Sequence, residues 1–379
     1  MKKKIMLVFG TRPEAIKMAP LVHSLRAMPD KFIVLVCVTA QHRKMLDQVL
    51  NLFEIEPEID LNLMTKEQDL FSMTSSILIG LKKVFADHRP DIVLVHGDTT
   101  TTFVASLASF YAGIAIGHIE AGLRTHNLKA PFPEEFNRQV TTKVAQWHFA
   151  PTALCQKNLL AEGVPLKNIT ITGNTIIDSL HWVLKRIERD SSFRNNLITK
   201  LSKTIPFDLH KEKFILITGH RRENFGNGFL NICKAIQELA IRYNKIHFVY
   251  PVHLNPQVQE PVQNILANIK NVHLIEPLAY EVFIYLMQQA FIILTDSGGI
   301  QEEAPSLGKP VLLMRDITER PESLESGTVT LVGTNQQNIV AGVSRLLEDS
   351  FYYQTMSLAH NPYGTGQACK LIVDILKKI

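Results

Sequence analysis

Two carboxylates follow neighbouring apolar segments in the first third of the chain. Asp98 comes after IVLVHG, and Glu120 comes directly after IAIGHI. Because the carboxyl ends of parallel strands meet at one edge of a sheet, we expect both side chains to face one cleft. Paired carboxylates in different environments can divide the work of an acid and a base. Asp98 could instead cap the following helix, whereas the segment after Glu120 has no capping pattern.

A third acidic segment lies in APFPEEFNRQ. Pro131 and Pro133 precede a predicted helix whose first turn contains Glu134 and Glu135. Acidic residues are favourable at that end of a helix dipole. Arg138 lies four residues after Glu134, a spacing that allows an ion pair on one helix face. Without further information, this pattern favours helix-end electrostatics over chemistry.

The first apolar segment leads into GTRPEAIK. Thr11 and Glu14 have the spacing of a capping box, and Pro13 suits the first turn of a helix. These roles leave Arg12 and Lys17 unexplained. Both could reach an anion at the helix N-terminus, or both could be solvated cations.

The second half of the chain offers a basic loop and a glycine pair. His220, Arg221 and Arg222 follow the apolar segment FILITG, where they suit a diphosphate or form an exposed charged turn. Ser-Gly-Gly at 297–299 follows FIILTD and would let the backbone approach a phosphate. Glu303 would repel a phosphate, so we expect it to hold ribose hydroxyls.

Short apolar segments that alternate with amphipathic stretches must position these residues. About six segments in each half are continuous in Val, Ile and Leu, which predicts buried parallel strands connected by helices. We therefore predict an α/β protein of two doubly wound, Rossmann-like domains, 1–180 and 181–365. A polar linker helix is expected within 185–213, and a last helix at about 366–379 could pack on either domain.

Composition narrows the function classes. The 379 residues are 46% hydrophobic and 20% charged with a net charge of +4, a globular profile without the basic runs of nucleic-acid binding. We expect no membrane span. The four cysteines have no metal-ligand spacing and are expected to be reduced, as in a cytoplasmic protein. The sequence contains no GxGxxG after the first strand, no Walker A, no HExxH and no GxSxG, so nothing indicates bound NAD, ATP or zinc.

Taken together, the segments resemble the non-hydrolysing UDP-N-acetylglucosamine 2-epimerases nearly end to end. The resemblance is carried by GTRPEAIKMAP, TAQHRKMLDQVL, HGDTTT, HIEAGLRT, PFPEEFNRQ, GNTIIDSL, GHRRENFG, TDSGGIQEEAPSLGKPVLLMRDITERPE and GTVTLVGT. It implies the glycosyltransferase-B-like arrangement of two Rossmann domains, with an active-site cleft between the domains and a C-terminal helix that returns to the first domain. It also implies a homodimer, a UDP-N-acetyl sugar as substrate, and no cofactor or metal.

The resemblance further implies a reaction and residue roles. Members interconvert UDP-GlcNAc and UDP-ManNAc through a 2-acetamidoglucal held beside UDP, and UDP-ManNAc feeds bacterial envelope polysaccharides. The catalytic residues carried over are Asp98, Glu120, Glu134 and His220. The substrate-binding residues carried over are Arg12, Lys17, Arg138, Phe283, Ser297, Gly298, Gly299, Glu303 and Arg320. Which carboxylate serves which face of the sugar stays open.

Some members are activated by a second UDP-GlcNAc, and this chain matches their pattern only in part. The matching residues are Gln41, His42, Arg221 and His253. Lys44 and Glu67 stand where those members tend to have Gln and Arg, and Leu278 replaces a Gln near the uracil. An acid at 67 is unfavourable near a diphosphate, so we expect weak or absent activation by substrate.

Other functions remain open from the sequence. A hydrolysing epimerase would release ManNAc and UDP, and a related epimerase would act on another UDP-N-acetyl sugar. A glycosyltransferase of the same fold would need an acceptor. A nucleotide-sugar sensor without activity is disfavoured by the intact residues Asp98, Glu120, Glu134 and His220.

Overall fold

The computed structural model describes residues 2–39, 43–63 and 69–379, without the side chain of Lys44. The chain packs as two compact units. The first unit is Met1–His181 together with Tyr363–Ile379, and the second is Trp182–Pro362. None of the helices in the described ranges combines the length and the apolar character needed to cross a membrane.

A seven-stranded parallel sheet forms the first unit. Its strands are β1 (Lys3–Phe9), β2 (Phe32–Val38), β3 (Ile59–Asp60), β4 (Ile92–His96), β5 (Ala115–Ile119), β6 (Trp147–Ala150) and β7 (Ile169–Ile171). The order is β3-β2-β1-β4-β5-β6-β7, so the direction of winding reverses between β1 and β4. In β1, the five residues 5–9 are fully buried, as their continuous apolar character predicts. Ligands of such sheets bind outside the carboxyl ends of the strands, at this reversal.

Helices connect the strands of the first unit. They are α1 (Arg12–Arg26), α2 (Arg43–Leu52), α3 (Leu70–His88), α4 (Thr100–Tyr111), α5 (Glu134–Val144), α6 (Ala153–Ala161) and α7 (Thr175–Arg189). The boundary between the units falls within α7.

A six-stranded parallel sheet forms the second unit. Its strands are β8 (Phe214–Thr218), β9 (His247–Pro251), β10 (Val272–Ile275), β11 (Ile292–Thr295), β12 (Val311–Leu313) and β13 (Val329–Leu331). The order β10-β9-β8-β11-β12-β13 places the reversal between β8 and β11. The helices are α8 (Ser191–Ser202), α9 (Asn227–Arg242), α10 (Pro256–Leu266), α11 (Tyr280–Gln289), α12 (Gly298–Glu303), α13 (Pro321–Glu325), α14 (Gln336–Glu348) and α15 (Ser350–Ser357). The predicted fold class, with two doubly wound sheets, is confirmed.

The last helix, α16 (Ala368–Leu376), belongs to the first unit. The backbone N–H groups of Ala368 and Cys369 donate to the carboxylate of Asp178 in α7, at 3.2 and 3.1 Å. These bonds satisfy two N–H groups that a helix N-terminus leaves without intrahelical partners. Lys3 at the start of β1 donates from Nζ to the carbonyl of Leu376, at 3.1 Å.

The structure adds two details to the sequence prediction. The first sheet has a seventh strand, β3, which at two residues is too short to produce an apolar pattern. The linker helix expected within 185–213 is α8, which follows the end of α7. Asp190 separates them as the N-cap of α8, where its side chain accepts from the N–H of Phe193 at 2.9 Å.

Candidate functional site

The turn from β1 into α1 is fixed by a buried carboxylate. Glu14 accepts from the backbone N–H groups of Gly10 and Thr11 at 3.0 and 2.8 Å, and the capping box with Thr11 is confirmed. Its other oxygen accepts from the hydroxyl of Thr99 at 2.6 Å. Burial raises the pKa of Glu14. The carboxylate therefore ties the turn that carries Arg12 to the turn after β4 that carries Asp98.

Asp98 lies after β4 without capping the helix. The N-cap of α4 is Thr99, whose hydroxyl accepts from the N–H of Thr102 at 3.1 Å. The capping role that the sequence allows for Asp98 was therefore wrong. Its carboxylate accepts from Nη2 of Arg138 at 2.6 Å, and its backbone carbonyl accepts from Nδ2 of Asn137 at 2.9 Å. The carboxylate of Asp98 is thus directed towards α5.

The surroundings of Asp98 shift its titration. Burial raises its pKa to about 6, and the Arg138 guanidinium opposes that shift while Glu120 and Glu134 reinforce it. The side chain is 26% exposed. A carboxyl group with a pKa near the working pH can both take up and release a proton, which suits general acid–base catalysis.

Glu120 follows β5 in a conformation that is rare for its residue type. Its φ is +62°, in the left-handed region that favours glycine, and such strain clusters at functional sites. Its Oε2 forms an ion pair with Nζ of Lys17 and accepts from Nδ2 of Asn174, the latter at 2.7 Å. The side chains of Lys17 and Glu120 are only 12% and 8% exposed. Buried His96 lies close by, with Nε2 at 3.8 Å from Oε2 of Glu120.

The third predicted carboxylate, Glu134, is the first residue of α5 and is half-buried. The ion pair that the spacing of Glu134 and Arg138 allows is not formed; Arg138 pairs with Asp98 and lies 3.5 Å from Glu135. Glu135 is fully buried and accepts from the N–H groups of Thr125 and His126. Glu135 therefore holds the preceding loop, and Glu134 lies near enough to Asp98 to raise the pKa of that carboxyl group.

The first unit brings one set of predicted residues to the carboxyl ends of β1, β4 and β5. Three of these residues lie close enough to Asp98 to affect its pKa: Glu120 and Glu134 raise it, and Lys17 lowers it. Arg12, the first residue of α1, is half-buried at the same end of the sheet. We call Asp98, Glu120 and Glu134 the carboxylate cluster.

In the second unit, β8 delivers His220 and Arg221 into a loop that a buried acid holds. Asp296 follows β11 and is fully buried. Its Oδ2 accepts from the backbone N–H groups of His220 and Arg221, both at 2.8 Å. His220 is partly exposed and stacks on exposed His253, with ring centroids 5.3 Å apart. Burial lowers the pKa of His220, an effect that Asp296 opposes.

Gly298 lies against two guanidinium groups. An ideal Cβ built at this position would lie 2.5 Å from Nη1 of Arg320 and 3.3 Å from Nη2 of Arg221. Buried Arg320 is fixed by Nε–Glu302 and Nη1–Glu319 hydrogen bonds of 2.6 and 2.8 Å. We call Arg221, Gly298 and Arg320 the arginine cradle. Two cations beside a bare backbone form a site suited to a diphosphate.

Glu319 neutralises part of this charge. Burial alone would raise its pKa, but Arg320 and Arg315 lower it to about 2. Arg315 donates from Nη1 to Glu319 at 2.6 Å and from Nε to Glu223 at 2.5 Å. Glu319 is therefore ionised at neutral pH, and its hydrogen bonds hold the guanidinium groups of Arg315 and Arg320 in place.

The remaining predicted residues of the second unit surround α12. Ser297 is the N-cap of α12, followed by Gly298 and Gly299 as its first residues. Glu303 is buried at the end of α12 and accepts from the hydroxyl of Tyr280 at 2.6 Å. Phe283 is half-buried on α11, three residues after Tyr280.

The predicted regulatory residues are only partly described. Gln41, His42, Glu67 and the side chain of Lys44 lie outside the described residues. Arg221 and His253 lie in the second unit near His220, and Nη2 of Arg221 is 3.7 Å from Oε1 of Glu319. The role of these residues stays a prediction.

Sequence reasoning missed several residues that position the others. They are Asn174 in the first unit and Asp296, Glu302, Arg315 and Glu319 in the second. Asp296 offered a signal, because it follows an apolar strand as Asp98 does. Within the described ranges, no group of three or more His, Cys, Asp or Glu side chains is arranged to hold a metal ion.

Comparison with known proteins identifies the family of the chain. The model of the family described as UDP-N-acetylglucosamine 2-epimerase matches residues 24–377. The UDP-N-acetylglucosamine 2-epimerase of Salmonella typhimurium is 57% identical over 374 residues, which cover 99% of this chain and 98% of the relative. The Campylobacter jejuni enzyme of the same name is 54% identical over 378 residues, covering 100% and 98%.

Solved structures are similar along the whole chain. The crystal structure of UDP-GlcNAc 2-epimerase from Neisseria meningitidis bound to UDP-GlcNAc has a TM-score of 0.92 at 52% identity, covering 99% of this chain and 100% of that one. The Methanocaldococcus jannaschii UDP-GlcNAc 2-epimerase in complex with UDP-GlcNAc and UDP has a TM-score of 0.82 at 32% identity, with the same coverage. The chain therefore belongs to the UDP-N-acetylglucosamine 2-epimerase family.

Proposed function

We propose that this protein catalyses the reversible 2-epimerisation of UDP-N-acetylglucosamine to UDP-N-acetylmannosamine. The observation that carries the proposal is the carboxylate cluster. Asp98 follows β4, Glu120 follows β5, and Glu134 is the first residue of α5. The reaction needs acid–base groups for both faces of the sugar ring, and this cluster offers three. Family membership and 54–57% identity to enzymes of that name support the same activity.

The proposed reaction proceeds by elimination and re-addition. A carboxylate of the cluster takes the proton from carbon 2, and the carbon–hydrogen electron pair forms the double bond between carbons 1 and 2. The electron pair of the bond from carbon 1 to oxygen leaves with UDP. A proton then returns to the opposite face of carbon 2, and UDP adds again at carbon 1. No electrons are gained or lost overall, so the proposal includes no redox cofactor.

The cations of the two units support the binding roles that we propose. In the second unit, the arginine cradle and His220 would bind the diphosphate, and buried Glu303 would bind the ribose hydroxyls. In the first unit, Lys17 and Arg138 are paired with carboxylates of the cluster, where they can modulate proton affinity.

The proposal extends to context. We propose a homodimer in the cytoplasm that acts on a UDP-N-acetyl sugar and feeds envelope polysaccharide synthesis, without nucleic-acid or membrane partners. Four free, buried cysteines support a reducing compartment.

Product analysis tests the proposed function against its alternatives. Purified protein is incubated with UDP-GlcNAc alone, and the products are separated by ion-exchange chromatography. UDP-ManNAc in equilibrium with UDP-GlcNAc supports the proposal. Free ManNAc with UDP would instead identify a hydrolysing epimerase, and turnover only with another UDP-N-acetyl sugar would change the substrate.

A further inference from the structure

Asp296 is a carboxylate in the second unit to which neither the family resemblance nor the proposed function assigns a role. It follows β11, next to β8, at the point where the winding of this sheet reverses. The residue is 0% exposed. One of its oxygens, Oδ2, holds the backbone N–H groups of His220 and Arg221 at 2.8 Å each. The backbone at His220 is therefore set by Asp296.

The second oxygen of Asp296 has no hydrogen-bond partner among the described residues. A buried carboxylate oxygen without a partner is costly and calls for an explanation. Nδ1 of His220 lies 3.5 Å from this Oδ1, just outside normal hydrogen-bond length. Oδ1 is therefore the oxygen of Asp296 that lies next to the ring of His220.

Such a bond would determine which ring nitrogen of His220 carries the proton. A carboxylate only accepts, so Nδ1 would be the donor. The other nitrogen, Nε2, would point away from Asp296. A carboxylate on Nδ1 also stabilises the imidazolium, in which Nε2 becomes a donor as well.

The other groups near His220 oppose its positive charge. Burial is the largest effect that lowers the pKa of His220, and stacked His253 and nearby Arg221 act in the same direction. Asp296 acts in the opposite direction. A bound diphosphate would add negative charge beside the ring and shift the balance further towards the imidazolium.

We propose that Asp296 is a positioning residue for His220, which holds Nδ1–H so that Nε2–H faces the oxygen that gains charge as UDP leaves carbon 1. This inference rests on the proposed function. The electron pair of the broken carbon–oxygen bond stays on the diphosphate oxygen, and both ring protons stay on His220. The effect is electrostatic stabilisation of the departing UDP.

The first test is a double-mutant cycle on D296N and H220Q. The amide of D296N keeps a carbonyl oxygen for the two backbone N–H groups but presents NH₂ to Nδ1, which leaves the ring neutral and disfavours the imidazolium. We expect kcat for UDP-GlcNAc to fall about 100-fold with KM changed less than about threefold, because His220 then lacks the positive charge that stabilises the departing UDP. In the H220Q background, D296N should change kcat less than about twofold, because the effect acts through His220. Equal losses of kcat in both backgrounds would overturn the proposal.

The second test does not depend on turnover. Nitrogen-15 NMR of histidine-labelled wild-type protein saturated with UDP reads the protonation of each ring nitrogen, and the missing signal in H220Q assigns His220. We expect Nδ1 to be protonated throughout the titration and the imidazolium to persist to higher pH than in D296N. A deprotonated Nδ1 in the wild-type complex would overturn the proposal, even if D296N does not fold. Wild-type protein that binds UDP but does not convert UDP-GlcNAc would contradict the proposed function instead.

Discussion

An ideal Cβ at Gly298 would lie 2.5 Å from Nη1 and 2.9 Å from Cζ of Arg320. Arg320 cannot retreat easily, because Glu302 and Glu319 hold its guanidinium from two sides. The glycine is therefore required by the approach of a cation rather than by a left-handed backbone. Gly298 therefore differs from a turn glycine, because a side chain here would displace a cation that we propose binds the diphosphate.

The first prediction concerns that contact. G298A should weaken the binding of UDP about tenfold or more, because the new methyl group displaces Arg320 at a cost of about 1–3 kcal/mol. Isothermal titration calorimetry with UDP measures the change. G299A adds a methyl group at the neighbouring position away from the arginines, since among the described residues its Cβ would meet Oε2 of Glu303, at 4.0 Å. If G298A bound UDP as tightly as the wild-type protein, the arginine cradle would not be part of the UDP site.

The second prediction concerns the ion pair of Lys17 and Glu120. K17M should destabilise the first unit by about 3 kcal/mol, because it leaves a mostly buried carboxylate without its cation. The double variant K17M/E120Q should recover most of that stability but no epimerase activity. Urea unfolding and product formation measure the two properties. Equal stability of K17M and the double variant would show that the loss in K17M is not caused by an unpaired Glu120 carboxylate.

The third prediction concerns the backbone at Glu120. Because its φ is +62°, E120G should be more stable than E120A by about 1 kcal/mol. An exposed position within α6 provides the control: K157A should be more stable than K157G, also by up to about 1 kcal/mol. Thermal unfolding of the four variants measures both differences. E120A at least as stable as E120G would contradict a strained backbone at this position.

The fourth prediction concerns the pH dependence of stability. The pKa of Asp98 in the folded protein is about 6, above its ordinary value of 3.8, so the folded state binds this proton more tightly. The resulting stability is complete below about pH 4 and is lost as the pH rises through about 6. As the pH rises from 4 to 7.5, the free energy of unfolding of D98N should therefore increase by about 2 kcal/mol relative to that of the wild type.

Urea unfolding at both pH values tests this fourth prediction, with D30N at an exposed carboxylate as the control. D30N should show less than about 0.5 kcal/mol of such a change. A D98N difference that is the same at pH 4 and pH 7.5 would mean that the carboxyl of Asp98 titrates normally.

The sequence predicts the architecture well because buried parallel strands leave a strong local pattern. The continuous apolar segments identify twelve of the strands, β3 being the exception. Its two residues bury too little surface to need an apolar run. The linker helix within 185–213 is predicted, but polar composition alone does not show that Asp190 ends α7 and caps α8.

The site is less predictable because its residues are placed by contacts between distant segments. Local rules allow Asp98 to cap α4, but Thr99 is the residue that caps it. The Asp98 carboxylate instead accepts a hydrogen bond from Arg138, forty residues away. Likewise, the (i, i+4) rule pairs Arg138 with Glu134, yet the fold directs it elsewhere. Asp296 shows the same limit, since its partners come from the loop after β8.

The measurement that tests the account most directly is proton NMR of UDP-GlcNAc incubated with the protein in heavy water. Reversible proton transfer at carbon 2 by the carboxylate cluster predicts UDP-ManNAc with deuterium at carbon 2, and deuterium entering UDP-GlcNAc as equilibrium is approached, without any added cofactor. E120Q should slow this exchange strongly. UDP-ManNAc that retained the original hydrogen at carbon 2, or exchange in E120Q at the wild-type rate, would contradict the account.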